Sequence, residues 1–88
     1  MFRSRRTKRF RERFAALPLE AQRQTEEAYL LFTQDPRHPS LQFKRVDQTE
    51  PPTYSIRIGL HYRALGVLEG DLVTWHWIGT HAEYDKHV

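Results

Sequence analysis

The chain contains no cysteine. No disulfide can staple it, and no thiol can serve as nucleophile or metal ligand, which suits a reducing compartment such as the cytoplasm. No run approaches the roughly 18 consecutive apolar residues that a membrane helix needs. No apolar segment follows the basic start, so nothing there resembles a secretory signal. Glycine is scarce, at four unclustered residues. That excludes a glycine-rich phosphate loop, and no Gly-x-Ser-x-Gly frames a nucleophilic serine. Acid is scarce at one end: before residue 14 only Glu12 opposes Arg3, Arg5, Arg6, Lys8, Arg9, Arg11 and Arg13.

What is present bounds the fold. Eighty-eight residues make one domain, 1–88, and a chain this short buries only about 60% of its unfolded surface. Aromatic residues at 12% help a small core to pack. The net charge of +3 and the basic block favour an anionic partner such as nucleic acid, an acidic protein segment or a membrane surface. A solvated helix face explains the same block equally well.

Phe10, Phe14 and Leu17 recur at helical spacing and predict a helix over 7–17, with Thr7 as its N-cap. Pro18 fits the first turn of a second helix over 19–33, whose inner stripe is Ala21, Thr25, Ala28, Tyr29 and Phe32. The short break predicts an antiparallel hairpin. Asp35 to Ser40 carries two prolines and ends the helical half. The period then changes. Strands are predicted at Leu41 to Val46, Tyr54 to Ile58, Tyr62 to Leu68 and Leu72 to Ile78, with turns at Gln48 to Pro52, Gly59 to His61 and Glu69 to Asp71. Residues 2–6 are a candidate edge strand. The expected architecture is α+β: a helical hairpin packed on one face of a twisted antiparallel sheet of about four strands. Trp75 and Trp77, two apart, are expected on one core-facing side of the last strand, with His76 opposite.

The chain finishes WHWIGTHAEYDKHV, which holds three of the five histidines. Asp35-Pro36 through Leu41 to Phe43-Lys44, the strand Tyr54 to Ile58, His61-Tyr62-Arg63 and the ending Ile78 to Tyr84 together resemble the RelE/ParE toxin superfamily of bacterial type II toxin–antitoxin systems. The resemblance covers nearly the whole chain. It implies one β-strand, a helical hairpin and a curved antiparallel sheet, and a cognate antitoxin protein as partner. In the RelE and YafQ-like branch it implies a metal-independent endoribonuclease that cuts mRNA on the ribosome, with no cofactor and no membrane. The chemistry would be attack of the ribose 2′-OH on the adjacent phosphorus. It needs a base, an acid and cations for the phosphorane charge.

By position in the family pattern, Arg57 and Arg63 are the cationic pair, His81 the proton-transfer group and Tyr84 the C-terminal aromatic. Ser55 stands where RelE-like enzymes usually carry a further basic residue, so one cation of that pattern is absent here. Lys44, Arg45, Arg9 and Arg13 are candidate RNA-phosphate contacts. Plainer readings stand beside these. His81 could cap the strand end against backbone or Glu83, Arg63 could pair with Glu69 or Asp71, Tyr84 could cover the core edge, and Lys44 and Arg45 could guard an edge strand. His76, His81 and His87 lack the spacing of a compact metal site. Four functions remain open: a ribosome-dependent nuclease, a ParE-like gyrase inhibitor, an inactive interaction module and a plain RNA-binding domain.

Overall fold

In a computed structural model, which describes residues 2–87, the order of elements is β1 (Arg3–Arg6), α1 (Lys8–Ala15), α2 (Leu19–Gln34), a 3-10 turn (Pro39–Leu41), β2 (Lys44–Arg45), β3 (Thr53–Ile58), β4 (Tyr62–Glu69), β5 (Leu72–Thr80) and α3 (His81–His87). The five strands form one sheet in the order β1-β5-β4-β3-β2. Only the β1–β5 pair is parallel; the others are antiparallel. No helix among the described residues is long and apolar enough to cross a membrane.

The helical hairpin forms as its sequence dictates. Thr7 caps α1 by accepting the Phe10 amide on its hydroxyl, which satisfies one of the orphan donors of the first turn. Pro18 stands one residue outside α2, with extended ψ. The predicted inner stripe is buried at Ala21, Thr25, Ala28 and Phe32, while Tyr29 is half-buried. Arg6 ties three elements together. Its guanidinium pairs with Glu26 at 2.6 Å and lies 4.5 Å from the Tyr29 ring centroid and 5.5 Å from those of Phe10 and Phe14. Against the sheet, Phe10, Ala28 and Phe32 meet Ile56, Ile58, Ala64, Val73, Trp75 and Ile78.

Three expectations change. Leu41 is buried in the 3-10 turn rather than in a strand, and β2 shrinks to two residues. Pro39 at the start of the turn and left-handed Gln42 at its end (φ 46°) keep the chain out of the sheet until Lys44. The sequence indicated two helices, and a third, α3, follows β5 and packs across the sheet face opposite the hairpin, where Leu65, Trp77 and Tyr84 form a second small core with Val46 beside it. The tryptophans do not share a face. Leu65 pairs with Trp77 but Gly66 pairs with Trp75, so His76 is the extra residue of a β-bulge. The bulge sends Trp75 to the hairpin side and Trp77 to the α3 side. Gly66 makes room for the turned indole, since a Cβ there would lie 2.6 Å from Trp75 and 2.7 Å from Val73.

Candidate functional site

The candidate residues gather where β5 gives way to α3. Thr80 and Glu83 start this helix with a reciprocal pair of bonds. The Thr80 hydroxyl accepts the Glu83 amide at 3.1 Å, and the Glu83 carboxylate accepts the Thr80 amide at 2.9 Å. The Thr80 amide, followed by desolvation opposing it and further help from the Thr80 hydroxyl and Arg13, holds the Glu83 carboxyl below its ordinary value. The spacing Thr80-x-x-Glu83 is a helix-start signature, and it is the one signal in the sequence from which α3 could have been expected. Arg13 braces the same junction. Its Nε donates to the Ile78 carbonyl at 2.6 Å, its guanidinium lies 5.1 Å from the Trp77 ring, and Nη2 reaches Glu83 at 3.5 Å.

His81 is the first residue of α3 and is exposed. Its backbone amide donates to the His61 carbonyl at 2.7 Å, its Nε2 lies 3.6 Å from Asp85, and its ring centroid is 6.0 Å from that of Tyr84. Strand-end capping therefore falls to Glu83, and the imidazole is left at the surface. Tyr84 turns inward and is 6% exposed. Its hydroxyl points to the buried Ser55 hydroxyl at 3.5 Å, at the long limit for a hydrogen bond. A base cannot stack on this ring in the conformation described.

Arg57 and Arg63 are direct register partners on β3 and β4. Their heads diverge. Arg63 is 6% exposed, lies 5.1 Å beneath the Tyr84 ring and donates through Nη2 to the Gln42 side chain at 2.6 Å. Its Nε and Nη1 are buried with no hydrogen-bond partner among the described residues. Neither Glu69 nor Asp71 is its counter-ion; Asp71 pairs instead with Arg3 at 2.9 Å. Gln42 gave no signal in the sequence. It reaches Arg63 because its left-handed backbone turns it across the 3-10 turn. Arg57 donates through Nε to the Gly59 carbonyl and lines a groove of about 520 Å³ on the other side of the sheet edge, with Gln24, Leu31 and Leu60.

The four expected phosphate contacts separate. Lys44 and Arg9 are exposed. Arg45 organises the following loop through the Asp47 and Thr49 carbonyls and Glu50. Arg13 is half-buried in the bracing just described. No group of three metal-ligating side chains gathers among the described residues.

The fold is shared with solved toxins. The archaeal RelE of a RelE–RelB complex from Pyrococcus horikoshii superposes with a TM-score of 0.72 at 16% identity, covering 90% of this chain and 93% of that one. YafQ from E. coli gives 0.70 at 10% identity, covering 96% and 98%. A copper-bound mutant toxin from Helicobacter pylori gives 0.71 at 20% identity, covering 94% and 98%. No curated protein matches the chain. Residues 19–86, from the start of α2 through nearly all of α3, match the family described as the ParE-like toxin domain. With three quarters of its length matched and the whole fold in common, the chain belongs to the ParE-like toxin domain family within the RelE/ParE superfamily.

Proposed function

We propose that this chain is the toxin of a toxin–antitoxin pair and cuts mRNA on the ribosome by 2′-OH attack on the scissile phosphate, without a metal. The observation that carries the reading is the juxtaposition of His81, Tyr84 and Arg63. An exposed imidazole stands one ring away from a buried guanidinium, two of whose nitrogens have no partner among the described residues. Imidazole exchanges protons near neutrality. A guanidinium with no counter-ion among the described residues, in a low-dielectric site, suits a phosphorane more than it suits the ground state of the fold. For a phosphate to reach Arg63, Tyr84 has to turn aside. Arg57, held through its Nε, is the cation nearer the surface. The antitoxin reading rests on family membership and on structures such as the RelE–RelB complex.

A second reading has its own observation. Arg63 and Tyr84 are closed off from solvent, so two of the four expected site residues cannot meet a substrate as they stand. A ParE-like toxin that binds DNA gyrase would need no open acid and base. Cleavage of a programmed ribosome by the wild-type protein and by His81→Ala separates the two. The nuclease reading expects a loss of roughly 10²- to 10⁴-fold in the variant, the scale of one acid–base group. No cleavage by the wild type, together with inhibition of gyrase supercoiling, selects the binding toxin.

A further inference from the structure

Cleavage of this kind moves one proton from the 2′-OH to the departing 5′ oxygen. Attack is in line, so the two oxygens stand on opposite sides of phosphorus. One imidazole cannot touch both at once, and His81 accounts for one transfer only. The structure offers few groups for the other. Tyr84 is buried against Ser55. His38 lies in the loop after α2 with its Nδ1 engaged by the Ser40 amide and hydroxyl, and His76 sits at the β-bulge.

His61 is placed differently. It is exposed, in the turn between β3 and β4. Tyr62 pairs with Thr80, so His61 and His81 are the next positions outward in the same register. The His81 amide donates to the His61 carbonyl at 2.7 Å, so the two histidine backbones touch. The hydrogen bond that orders the start of α3 thus also fixes one imidazole-bearing residue against the other. Arg57 and Arg63, themselves register partners, lie a few residues inward on β3 and β4.

We propose that His61 is the second proton-transfer group of the cleavage reaction, acting with His81 as an acid–base pair across the scissile phosphate. The inference rests on the nuclease reading above. One histidine enters neutral and takes the 2′ proton while the O2′–P bond forms. The other enters protonated and gives its proton to O5′ while the P–O5′ bond breaks. The products are a 2′,3′-cyclic phosphate and a 5′-hydroxyl, and the two histidines end with their protonation exchanged. No water or redox partner enters. The charged and titratable groups around the pair are Asp85 at 3.6 Å from His81, Tyr84, the two arginines, and Glu83, which is turned to Thr80 and Arg13.

The test uses ribosomes programmed with a message whose cleaved linkage has been mapped, and the same message carrying a bridging sulfur in place of O5′ at that linkage. A thiolate leaves without a proton, so the modified linkage needs a base but no acid. The wild type is expected to show a bell-shaped pH–rate profile. His61→Ala and His81→Ala, checked by circular dichroism, are each expected to lose roughly 10²- to 10⁴-fold and one limb of the bell. The bridging sulfur is expected to restore one of the two variants and not the other. A His61→Ala protein with the wild-type rate and both limbs overturns the pair, and so does slow cleavage that the sulfur restores in neither variant. If the wild type does not cleave at all, the nuclease reading itself has failed.

Discussion

At Arg63 the proposed site and the fold make opposite demands. A buried guanidinium with two nitrogens that find no partner among the described residues is costly, because desolvation of the charge is not fully matched by hydrogen bonds. Contact with the Tyr84 ring and one bond to Gln42 offset part of this. The physical expectation is that an apolar side chain of similar length would fit the same slot without the penalty. Arg63→Met is therefore predicted to leave stability unchanged within about 1 kcal/mol or to raise it, as urea unfolding would register. The same variant should abolish cleavage if the proposed function holds. A loss of several kcal/mol would instead make Arg63 a structural residue. The sequence pointed to Arg63 through its place in a family pattern, and alternation with apolar neighbours gave its strand. The ion pairs with Glu69 or Asp71 do not form because Arg63 pairs with Gly79, at the end of the β4–β5 hairpin away from the turn that carries both acids, where Asp71 meets Arg3 instead.

At the scale of elements, the hairpin, β3 and β4 were readable because their apolar periods are regular and their breaks carry proline or glycine. The bulge and α3 were not. Trp75 and Trp77 alternate as a plain strand would, and both indoles find apolar surroundings because the sheet is covered on both faces. Hydrophobic alternation therefore gives no sign that the register slips at His76. In α3 a seven-residue helix is too short to stand on propensity. Its stability comes from the Thr80–Glu83 pair, Arg13 and the burial of Tyr84. Thr80→Ala should remove about 1 kcal/mol from the anchoring of this helix, visible as faster amide exchange from Glu83 and Tyr84 with little change in the hairpin. Acid should act in the same direction. The folded carboxyl of Glu83 titrates below its unfolded value, so its contribution is fully present above the ordinary carboxylate range. It fades as pH falls through the lower, folded value. Glu83→Gln should remove that pH dependence. Exchange in α3 that ignores both substitutions would mean that Tyr84 alone holds the helix.

For the whole molecule, the basic excess is less available than the sequence suggests. Seven of the fourteen basic residues precede residue 14, yet the fold engages several of them. Arg3 pairs with Asp71, Arg6 with Glu26 among three aromatic rings, Arg11 with the Arg6 carbonyl, and Arg13 with β5 and α3. Lys8 and Arg9 on the outer face of α1, and Lys44 on β2, remain accessible to solvent. Sequence alone could count these charges but not assign them, because their partners lie far away along the chain. If binding to ribosomes uses the accessible set, the logarithm of affinity should fall linearly with the logarithm of salt concentration. Each phosphate that a substitution leaves unneutralised should flatten that slope by about 0.7–0.9. Replacing Lys8, Arg9 and Lys44 together by alanine is therefore predicted to flatten it by roughly 2, since three cations go at once. Arg3→Ala removes a charge that Asp71 already neutralises and should leave the slope unchanged. Equal slopes for the wild type and the triple variant would identify these residues as solvated surface. An effect of Arg3→Ala as large as that of the triple variant would mean that net charge, rather than placement, governs the encounter.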